Sequence, residues 1–389
     1  MNSWQRDGEQ TGPESDNWRN ADRQTTENVR EFAAGKSPER AVDLVESCRR
    51  ELAKRIVGQT DMINGLLAAM VAGGHILLEG VPGLAKTTAV KSLAEITGLV
   101  FKRIQFTPDL LPADLIGTLI WEQGTGVFSV RRGPVFANVI LADEINRAPA
   151  KVQSALLEAM QEGQVTIGDQ SHRLPEPFFV LATQNPIEHE GTYALPEAEL
   201  DRFLLKVLLG YPSPEDEIRV MRQAAPLSGG ENGRSPALAP VLDREALGFL
   251  RSAAELVRVD QGLERYMVAV VTATRPPAAV STASGAFVRD SPAGAQSGSR
   301  HSLSRYAPGQ EGVYRYIAFG ASPRGTIALH RIARILALFE GRSYVSPEDV
   351  KAAAYPVLRH RIVLSYEAEA DGLDADMVIS RLLSFVPLP

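Results

Sequence analysis

A short loop of small residues between a predicted strand and a predicted helix constrains this chain more than any other feature. The loop reads Gly80-Val81-Pro82-Gly83-Leu84-Ala85-Lys86-Thr87, and it follows an apolar run at residues 75–78 and opens a helical pattern at residues 86–96. Small residues let backbone N–H groups curl around an anion, and the positive end of the helix favours negative charge there. The sequence therefore predicts a nucleotide-phosphate site on an α/β domain.

Each residue of this loop has an expected part in the site. In such loops the lysine reaches the β- and γ-phosphates and the hydroxyl binds Mg²⁺, which assigns these parts to Lys86 and Thr87. The residues expected to contact ATP are Gly80, Val81, Pro82, Gly83, Leu84, Ala85, Lys86, Thr87 and Thr88. Ala85 stands where the strict pattern has glycine, and its extra methyl group predicts a backbone that stays at negative φ.

Apolar runs typical of buried strands alternate with helical patterns along the first half of the chain. The predicted strands lie at residues 75–78, 101–105, 139–142 and 178–181, and the predicted helices near residues 60–71 and 86–96. This alternation predicts right-handed crossovers and a mostly parallel sheet. Ligands bind such sheets at the carboxyl ends of the strands, where polar residues fall in this sequence.

Two hairpin-like segments interrupt the alternation. The first covers residues 115–136 and turns at Gly124-Thr125-Gly126, and the second covers residues 163–174 and turns near Gly168-Asp169. Glycine at such turns supplies the backbone freedom that a hairpin connection needs. We therefore expect two β-hairpins inserted into the α/β domain.

An acidic pair, Asp143-Glu144, ends the predicted strand at residues 139–142. An aspartate at such a strand tip can hold Mg²⁺ through water, and the next carboxylate can deprotonate a water for in-line attack on the γ-phosphate. An N-capping acid pair for the following helix is the alternative. The phosphate loop upstream favours the catalytic interpretation, with Asp143 as a metal ligand and Glu144 as the general base.

Three further polar residues are candidates for the catalytic machinery. Asn185 follows the strand at residues 178–181 and could hold the attacking water, although a simple Asn-Pro turn is the alternative. Arg202 has no partner in its own site that sequence can show, and an arginine finger supplied in trans requires a ring. Arg324 opens a helix of the second half and could reach back to the nucleotide on domain closure; an ordinary surface arginine is the alternative for both.

The remaining organisation follows from composition along the chain. Residues 1–36 are polar and predict a flexible tail, residues 37–211 form the α/β domain, and residues 212–389 lose most strand signals and predict a helical domain. Residues 226–240 predict a loop. Residues 276–312 are rich in Ala, Gly, Pro and Ser, which predicts a disordered insertion in the helical domain.

Charge and cysteine content exclude several classes of protein. The net charge of −6 gives no support for a nucleic-acid backbone binder, and a local basic channel is the alternative that it leaves open. The single cysteine, Cys48, rules out an intrachain disulfide and a cysteine-built zinc site, and its place in a helical pattern predicts a core residue. No apolar run approaches the roughly 18 residues that span a bilayer, and no signal peptide is evident, so a cytoplasmic protein is expected.

Several longer strings of the sequence resemble those of MoxR-family AAA+ ATPases. They are IVGQ at 56–59, GVPGLAKT at 80–87, FTPDLLPADLIGT at 106–118, LADEINRAP at 141–149, LLEAMQEGQVTI at 156–167, LATQNP at 181–186, LPEAELDRF at 195–203, GASPRG at 320–325 and VLRHRI at 357–362. The resemblance covers residues 38–389 apart from 276–312. Ala85 in the phosphate loop is itself common in that family.

The resemblance implies a fold and a role for each matching position. The fold is a P-loop AAA+ core with a parallel sheet and hairpin inserts, followed by an all-α lid domain. Lys86 with Thr87 and Asp143 with Glu144 would be the Walker A and Walker B pairs. Asn185 would be sensor 1, Arg202 the arginine finger and Arg324 sensor 2, whereas Val57 and Gly58 would lie near the adenine.

The resemblance also implies a function. A homo-hexameric ring would use ATP and Mg²⁺ to remodel, mature or assemble client proteins, which often carry von Willebrand factor A domains or metal centres, and both hairpins would face the central pore. A DNA-translocating motor is the alternative, although the net charge and the thin basic content of the inserts oppose it. A module that uses ATP as a switch without hydrolysis is a third option, which Glu144 opposes.

Overall fold

A parallel five-stranded sheet forms the centre of the first domain. The computed structural model describes residues 36–81, 83–124, 126–186, 192–224, 236–276 and 310–389. The sheet consists of β1 (Ile76–Gly80), β2 (Phe101–Gln105), β5 (Val139–Asp143), β8 (Phe179–Gln184) and β9 (Leu205–Leu209). Its order is β2-β5-β8-β1-β9, and every neighbouring pair is parallel. The predicted α/β class is thereby confirmed.

Helices cover both faces of this sheet because its side chains alternate. Leu77, Ile140 and Val180 point into one core cluster, and residues one position away, such as Leu78 and Leu181, belong to the other. Successive side chains of a strand point to opposite faces, so a strand buried on both sides reads as a continuous apolar run. The helices that complete these layers are α1 (Lys36–Ala53), α2 (Thr60–Ala72), α3 (Lys86–Thr97) and α5 (Ala150–Glu162).

The edge strand β9 was not among the strands predicted from the sequence. It pairs with β1 from Ile76↔Leu205 to Gly80↔Leu209. Its side chains alternate between buried and more exposed positions, and Lys206 forms an ion pair with Glu79 on β1 at 2.7 Å. A charged residue inside a short strand weakens its apolar pattern, so the sequence did not predict β9.

Both predicted hairpins are present. The first follows α4 (Pro112–Ile116) and consists of β3 (Gly117–Glu122) and β4 (Val127–Arg132), and the second consists of β6 (Gln164–Ile167) and β7 (Gln170–Arg173). They touch one another, since a Cβ on Gly168 would lie 2.7 Å from Leu119 Cδ1. Thr125, predicted in the first turn, lies outside the described residues.

The second domain is mostly helical, as predicted, but it also contains a small antiparallel sheet. Its described elements are α7 (Pro214–Ala224), α8 (Arg244–Leu256), α9 (Gln261–Ala273), α10 (Gln310–Tyr314), β10 (Ile317–Phe319), α11 (Pro323–Phe339), α12 (Pro347–Leu358), β11 (Val363–Leu364), α13 (Tyr366–Ala370) and α14 (Ala375–Phe385). The pair β10-β11 corrects the expectation of an all-α domain. Two short strands of three and two residues are too brief to produce a period-2 signal.

The second domain, called the lid below, packs directly on the first domain through one continuous core. Ile332 and Ile335 of α11 share a buried cluster with Val45 and Cys48 of α1. Cys48 is the core residue that the sequence predicts, and burial raises the pKa of its thiol to about 12. No helix in the described part of the chain is long and apolar enough to cross a membrane.

Most of the predicted tail, loop and insertion lies outside the described residues. The parts that are not described are residues 1–35 of the tail, 226–235 of the loop and 277–309 of the insertion. Two of the predicted boundaries are wrong by a few residues, because Lys36 already begins α1 and the end of the predicted insertion, from Gln310, already belongs to α10.

Candidate functional site

The phosphate loop connects β1 to the first turn of α3. Gly80 is buried at the end of β1, and a Cβ there would lie 2.8 Å from Leu209 Cβ, so glycine is required for close packing. Gly83 has φ +89° and open space where a side chain would stand. Lys86 begins α3 and its Nζ donates to the Gly80 carbonyl oxygen at 2.7 Å, so the lysine lies across the loop. Pro82 lies outside the described residues.

Ala85 does not adopt the negative φ expected from the sequence. It lies in the left-handed region at φ 55° and ψ 20°, immediately before α3. This conformation costs an L-residue roughly 1–2 kcal/mol relative to a right-handed one. The loop must reverse direction at this position to present its N–H groups, and the tertiary structure therefore imposes the conformation that glycine would adopt freely.

Lys86 lies among carboxylates from two other strands. Partial burial lowers the pKa of its ammonium group, and Asp143, Glu144 and Glu79 each oppose that shift through their negative charge. The parallel pairing of β1, β8 and β5 brings the loop after β1 and the acidic pair after β5 to the same edge of the sheet. This is the carboxyl edge of the sheet: the ends of β1, β2, β5 and β8.

Asp143 uses both carboxylate oxygens in hydrogen bonds. Its Oδ1 accepts from Thr183 Oγ1 at 2.7 Å, and its Oδ2 accepts from Arg103 Nε at 3.0 Å and a second Arg103 nitrogen at 2.7 Å. Thr183 is fully buried on β8, whereas Arg103 is an exposed residue of β2. Arg103 thus occupies the oxygen of Asp143 that is nearer the surface.

Glu144 is held in a strained backbone conformation by three neighbours. Its φ is +56°, and its backbone N–H donates to Thr183 Oγ1 at 2.8 Å. Its Oε2 accepts from Gln105 Nε2 at 2.8 Å and from Arg147 at 3.0 Å. Non-glycine residues at positive φ are concentrated at functional sites, where the surrounding structure over-determines them.

Asn185 belongs to the same edge. It follows β8, which lies between β1 and β5, and its side chain is 5% exposed. Its neighbour Gln184 pairs with Glu79, one residue before Gly80. The sheet therefore places Asn185 between the strand of the phosphate loop and the strand of the acidic pair.

The residues of this edge fit a magnesium nucleotide. Thr87 supplies a hydroxyl and Asp143 a carboxylate, both oxygen donors that Mg²⁺ prefers. No group of three or more His, Cys, Asp or Glu side chains arranged to hold a metal occurs in the described ranges.

The predicted adenine residues line a separate cleft. Val57 and Gly58 lie with Ile56 and Ile63 around a space of about 390 Å³ between the start of α2 and α7. Gly58 has φ +70°, and a Cβ there would lie 2.5 Å from Asp216 Oδ2. Glycine is therefore required both for the left-handed backbone and for the close approach of Asp216. Polar side chains of α7, among them Arg219 and Arg222, line the other side of this cleft.

Arg202 lies at the opposite end of the sheet from the phosphate loop. It precedes β9, and the backbone N–H of Leu204 donates to the His75 carbonyl oxygen at the start of β1. The five residues of β1 separate this amino edge from the loop by about 16 Å. Among the described residues its guanidinium has no hydrogen-bond or ion-pair partner. Arg202 therefore faces away from its own nucleotide site.

Arg324 lies beside Arg202 and away from the phosphate loop. Both arginines line a cleft of about 260 Å³ whose other walls include Gly74 and His75, and no residue of 80–88 contributes to it. In this structure α11 starts at the amino edge, so Arg324 lies away from the phosphate loop of its own chain. Contact of Arg324 with that nucleotide on domain closure stays a prediction. Its side chain also lacks a hydrogen-bond or ion-pair partner in the part of the chain that the structure describes.

The sequence reading missed several residues of both edges. Arg103 and Gln105 lie on a correctly predicted strand, and their place beside the acidic pair depends on the register Arg103↔Leu141 and Gln105↔Asp143. Polar residues that interrupt an otherwise buried strand were the signal available. At the amino edge Asp201 and Arg361 form an ion pair at 2.8 Å across 160 residues, which no local pattern reveals.

Comparison with known proteins agrees with this geometry. Residues 75–205 match the model of the ATPase family associated with various cellular activities (AAA), and residues 311–382 match that of the AAA lid domain. A candidate ATPase from Cytophaga hutchinsonii has a solved structure with 44% sequence identity and a TM-score of 0.77, which covers 93% of this chain and 99% of that one.

Curated relatives extend over nearly the whole chain. The Chaperone MoxR1 of Mycobacterium tuberculosis is 45% identical over 90% of this chain and 83% of its own length. YeaC of Bacillus subtilis is 41% identical over 86% of this chain and 91% of its own length, and the protein MoxR of Methylorubrum extorquens is 32% identical over 89% and 96%. The chain belongs to the MoxR family of AAA+ ATPases.

Proposed function

We propose that this ATPase works as a ring of six copies in which each nucleotide site is completed by its neighbour, and that the ring remodels or assembles protein clients. The placement of Arg202 and Arg324 carries the proposal. Both guanidinium groups lie at the amino edge, without partners among the described residues, whereas the phosphate loop lies at the carboxyl edge of the same sheet. The amino edge of one subunit can meet the carboxyl edge of the next. In a closed ring every phosphate loop then receives the two arginines of a neighbour.

Each residue at the carboxyl edge has a role in this proposal. Lys86 and the N–H groups at the start of α3 bind the phosphates, Thr87 and Asp143 hold Mg²⁺, and Asn185 orients the attacking water. Glu144 accepts the proton of that water through Oε1, which has no partner among the described residues while Oε2 is held. Bound Mg-ATP supplies the phosphoryl group and the charge that the site neutralises.

The neighbour's Arg202 and Arg324 would neutralise charge that develops on the transferred phosphoryl group. An arginine supplied in this way accelerates phosphoryl transfer by about 10³–10⁵-fold in related chemistry. The Asp201 carboxylate in the same cleft is engaged by Arg361 and Ser322, and neither arginine forms an ion pair among the described residues. Unpaired arginines in contact with water cost little. They are therefore available to an anion presented by another subunit.

Support for a protein client comes from the first hairpin. Trp121 and Phe128 are opposite one another across β3 and β4, their rings are 4.9 Å apart, and both are more than half exposed. Exposed aromatic pairs of this kind favour contact with protein side chains. Clients with a von Willebrand factor A domain or a metal centre, and action in the cytoplasm where ATP is available, belong to the same proposal.

The ring proposal is tested by mixing two inactive subunits. Arg202→Ala should reduce turnover by about 10³-fold while nucleotide affinity stays within about twofold. Lys86→Ala should abolish phosphate binding at its own site but retain its arginines. Mixed rings should recover activity, because an intact site of the first variant receives Arg202 from the second.

The control for this experiment is Arg265→Ala, which removes an exposed arginine of α9. It should leave turnover unchanged. Co-assembly and the number of subunits are measured by native mass spectrometry of the mixture with ATP. Co-assembled rings that show no recovery would contradict a shared site, and a monomer at every protein concentration that supports turnover would contradict the ring.

The client is tested with Glu144→Gln, which should hold the ATP state. A Trp121→Ala, Phe128→Ala variant of this trap is the matched control, since it removes the aromatic pair and leaves the nucleotide site intact. Recovery of a specific protein by the trap and its loss from the control supports remodelling of proteins. Salt-sensitive capture of single-stranded DNA with stimulated turnover would favour the alternative motor on nucleic acid.

A further inference from the structure

The segment at residues 201–204 carries Arg202 and is held from outside by the lid. It connects α6 (Glu197–Leu200) to β9, and its carbonyl oxygens lie before the start of the ladder between β9 and β1. Arg361 donates to the carbonyl oxygens of Asp201 at 3.3 Å, Phe203 at 2.6 Å and Leu204 at 3.2 Å. One lid side chain therefore provides hydrogen bonds to three residues around the arginine.

Arg361 is also held by charge. It is 7% exposed, and its Nε donates to Asp201 Oδ1 at 2.8 Å. Burial lowers the pKa of this guanidinium, and the Asp201 carboxylate opposes the shift. A buried cation is stable when a carboxylate and several carbonyl oxygens surround it, and removal of one partner leaves the other uncompensated. The pair therefore resists displacement.

Asp201 connects the same arginine to α11. Its Oδ2 accepts a hydrogen bond from Ser322 Oγ at 2.8 Å, and Ser322 Oγ in turn accepts from the backbone N–H of Arg324 at 3.1 Å. Ser322 is the N-cap of α11, so this hydroxyl sets the helix start from which Arg324 projects. The chain of contacts runs from Arg361 through Asp201 and Ser322 to Arg324.

His360 fixes the same segment from the next position of the lid. Its Nε2 lies 2.9 Å from the Phe203 carbonyl oxygen, to which the neutral ring donates. Burial and the neighbouring Arg361 charge hold the pKa of this imidazole well below its usual range, so it stays neutral near pH 7. A neutral donor adds no repulsion to the three arginines of this region.

We infer that Arg361 is a positioning residue for phosphoryl transfer: with Asp201 and Ser322 it fixes Arg202 and Arg324 as one unit that is presented to the neighbouring subunit. This inference rests on the proposed action of the two arginines in trans. Arg361 itself is buried at the amino edge, beside Arg202 and Arg324 and away from the phosphate loop. Any movement of the lid is transmitted to both arginines, because Arg202 is tied to Arg361 and Arg324 begins a lid helix.

The variant that tests this inference is Arg361→Lys. Lysine keeps the charge but loses the planar fork that reaches several acceptors at once. Turnover should fall by about 10–100-fold, since a displacement of the order of 1 Å at a catalytic group has that effect, and the Kd for ATP should change by less than about twofold. Arg359→Lys is the matched control.

Arg359 is a suitable control because it forms the same kind of contact, a carboxylate pair and a bond to a backbone carbonyl oxygen, outside residues 201–204. It pairs with Asp376 through two hydrogen bonds and donates to the Lys206 carbonyl oxygen on β9. Its side chain forms no hydrogen bond or ion pair with residues 201–204. Arg359→Lys should change turnover by less than about threefold. An equal loss of turnover in both variants would mean general loosening of the lid and would overturn the inference.

Mixed rings separate positioning from other defects. Arg361→Lys subunits should regain turnover when mixed with Lys86→Ala subunits, because the latter present correctly placed arginines to intact sites. Absence of recovery in co-assembled rings, while Arg202→Ala subunits do recover, would overturn the role of Arg361 and leave the shared site standing. Failure of Arg202→Ala to lose turnover would instead contradict the proposed function.

Ser322→Ala provides a second variant that does not disturb the buried pair. It removes the hydroxyl between Asp201 and Arg324, and turnover should fall by about three- to tenfold with unchanged Kd for ATP and recovery in mixed rings. If Arg361→Lys does not fold, Ser322→Ala tests the positioning role by itself. Turnover of Ser322→Ala at the level of the original protein would then overturn the inference.

Discussion

The two edges of the central sheet differ in whether their charges are satisfied within the chain. At the carboxyl edge Asp143 is paired with Arg103, Glu144 with Gln105 and Arg147, and Lys86 with the Gly80 carbonyl oxygen. At the amino edge Arg202 and Arg324 line an open cleft without such partners among the described residues. The charges of the first edge are balanced within the chain, whereas the second edge has cationic donors without a partner among the described residues.

Burial explains why the two edges differ. A buried carboxylate needs partners in every state, because an unpaired buried charge is costly. An arginine at a surface is hydrated, so it can remain unpaired until another molecule arrives. Three substitutions and a change of pH test this difference between the edges.

The largest effect is expected from Glu144→Gln at the carboxyl edge. Loss of the base should reduce turnover by about 10³-fold while ATP still binds, because the amide keeps the shape but cannot accept a proton. Steady-state ATPase rates and a fluorescent-nucleotide titration measure the two properties. Mixing with Lys86→Ala should give no recovery, in contrast to a variant of the amino edge, and unchanged turnover would remove Glu144 from the role of base.

Arg324→Ala tests whether the second arginine belongs to the amino edge in function as well as in position. We expect about a 10²-fold loss of turnover, since charge at the phosphoryl group is only partly replaced by Arg202. Activity should return in mixed rings with Lys86→Ala. A loss that persists in co-assembled mixtures would show that Arg324 acts on its own subunit. It would contradict a functional pairing of Arg324 with Arg202.

Acid should weaken the amino edge before the rest of the fold. His75 accepts from the Val180 backbone N–H and lies 3.1 Å from the Met160 carbonyl oxygen, and burial lowers the pKa of its ring to about 4. In the unfolded chain the ring takes a proton near pH 6.5. Stability is therefore complete above pH 6.5 and is lost as the pH falls toward 4, by roughly 2 kcal/mol at pH 5.

Urea unfolding followed by circular dichroism at pH 7.5 and pH 5.0 measures this loss. His75→Gln is the control, because glutamine retains hydrogen bonding but does not titrate in this range. The pH dependence of its unfolding free energy should be smaller than that of the original protein by about the same 2 kcal/mol. An identical pH dependence in the two proteins would contradict the assignment to His75.

The smallest effect is expected from Arg103→Ala at the carboxyl edge. Arg103 donates twice to Asp143 Oδ2, the oxygen that a cation near the phosphates would also use. Removal of this competitor should lower the Mg²⁺ concentration at half-maximal turnover by about threefold. Lys102→Ala, an exposed neighbour on the same strand, is the control. A higher requirement for Mg²⁺ would show that Arg103 supports metal binding.

Prediction from the sequence succeeded where the chemistry is local. The phosphate loop, the strand that ends at Asp143 and both hairpins depend on residues close together in the chain, and each has its own turn or periodicity signal. The conformation of Ala85 was predicted wrongly, because the loop as a whole imposes φ 55° against the preference of the residue. The strand β9 was missed because Lys206 interrupts its apolar pattern.

The sequence by itself determined that this protein has a nucleotide site with an acidic pair, since small residues, a lysine and a helix start must be adjacent in the chain to form a phosphate loop. The tertiary structure alone decided on which side of the sheet each arginine lies. Arg202 and Arg324 are 122 positions apart, and their shared cleft depends on the lid, on β9 beside β1 and on the buried pair of Arg361 with Asp201. Contacts between distant segments follow from packing, and local patterns do not encode them.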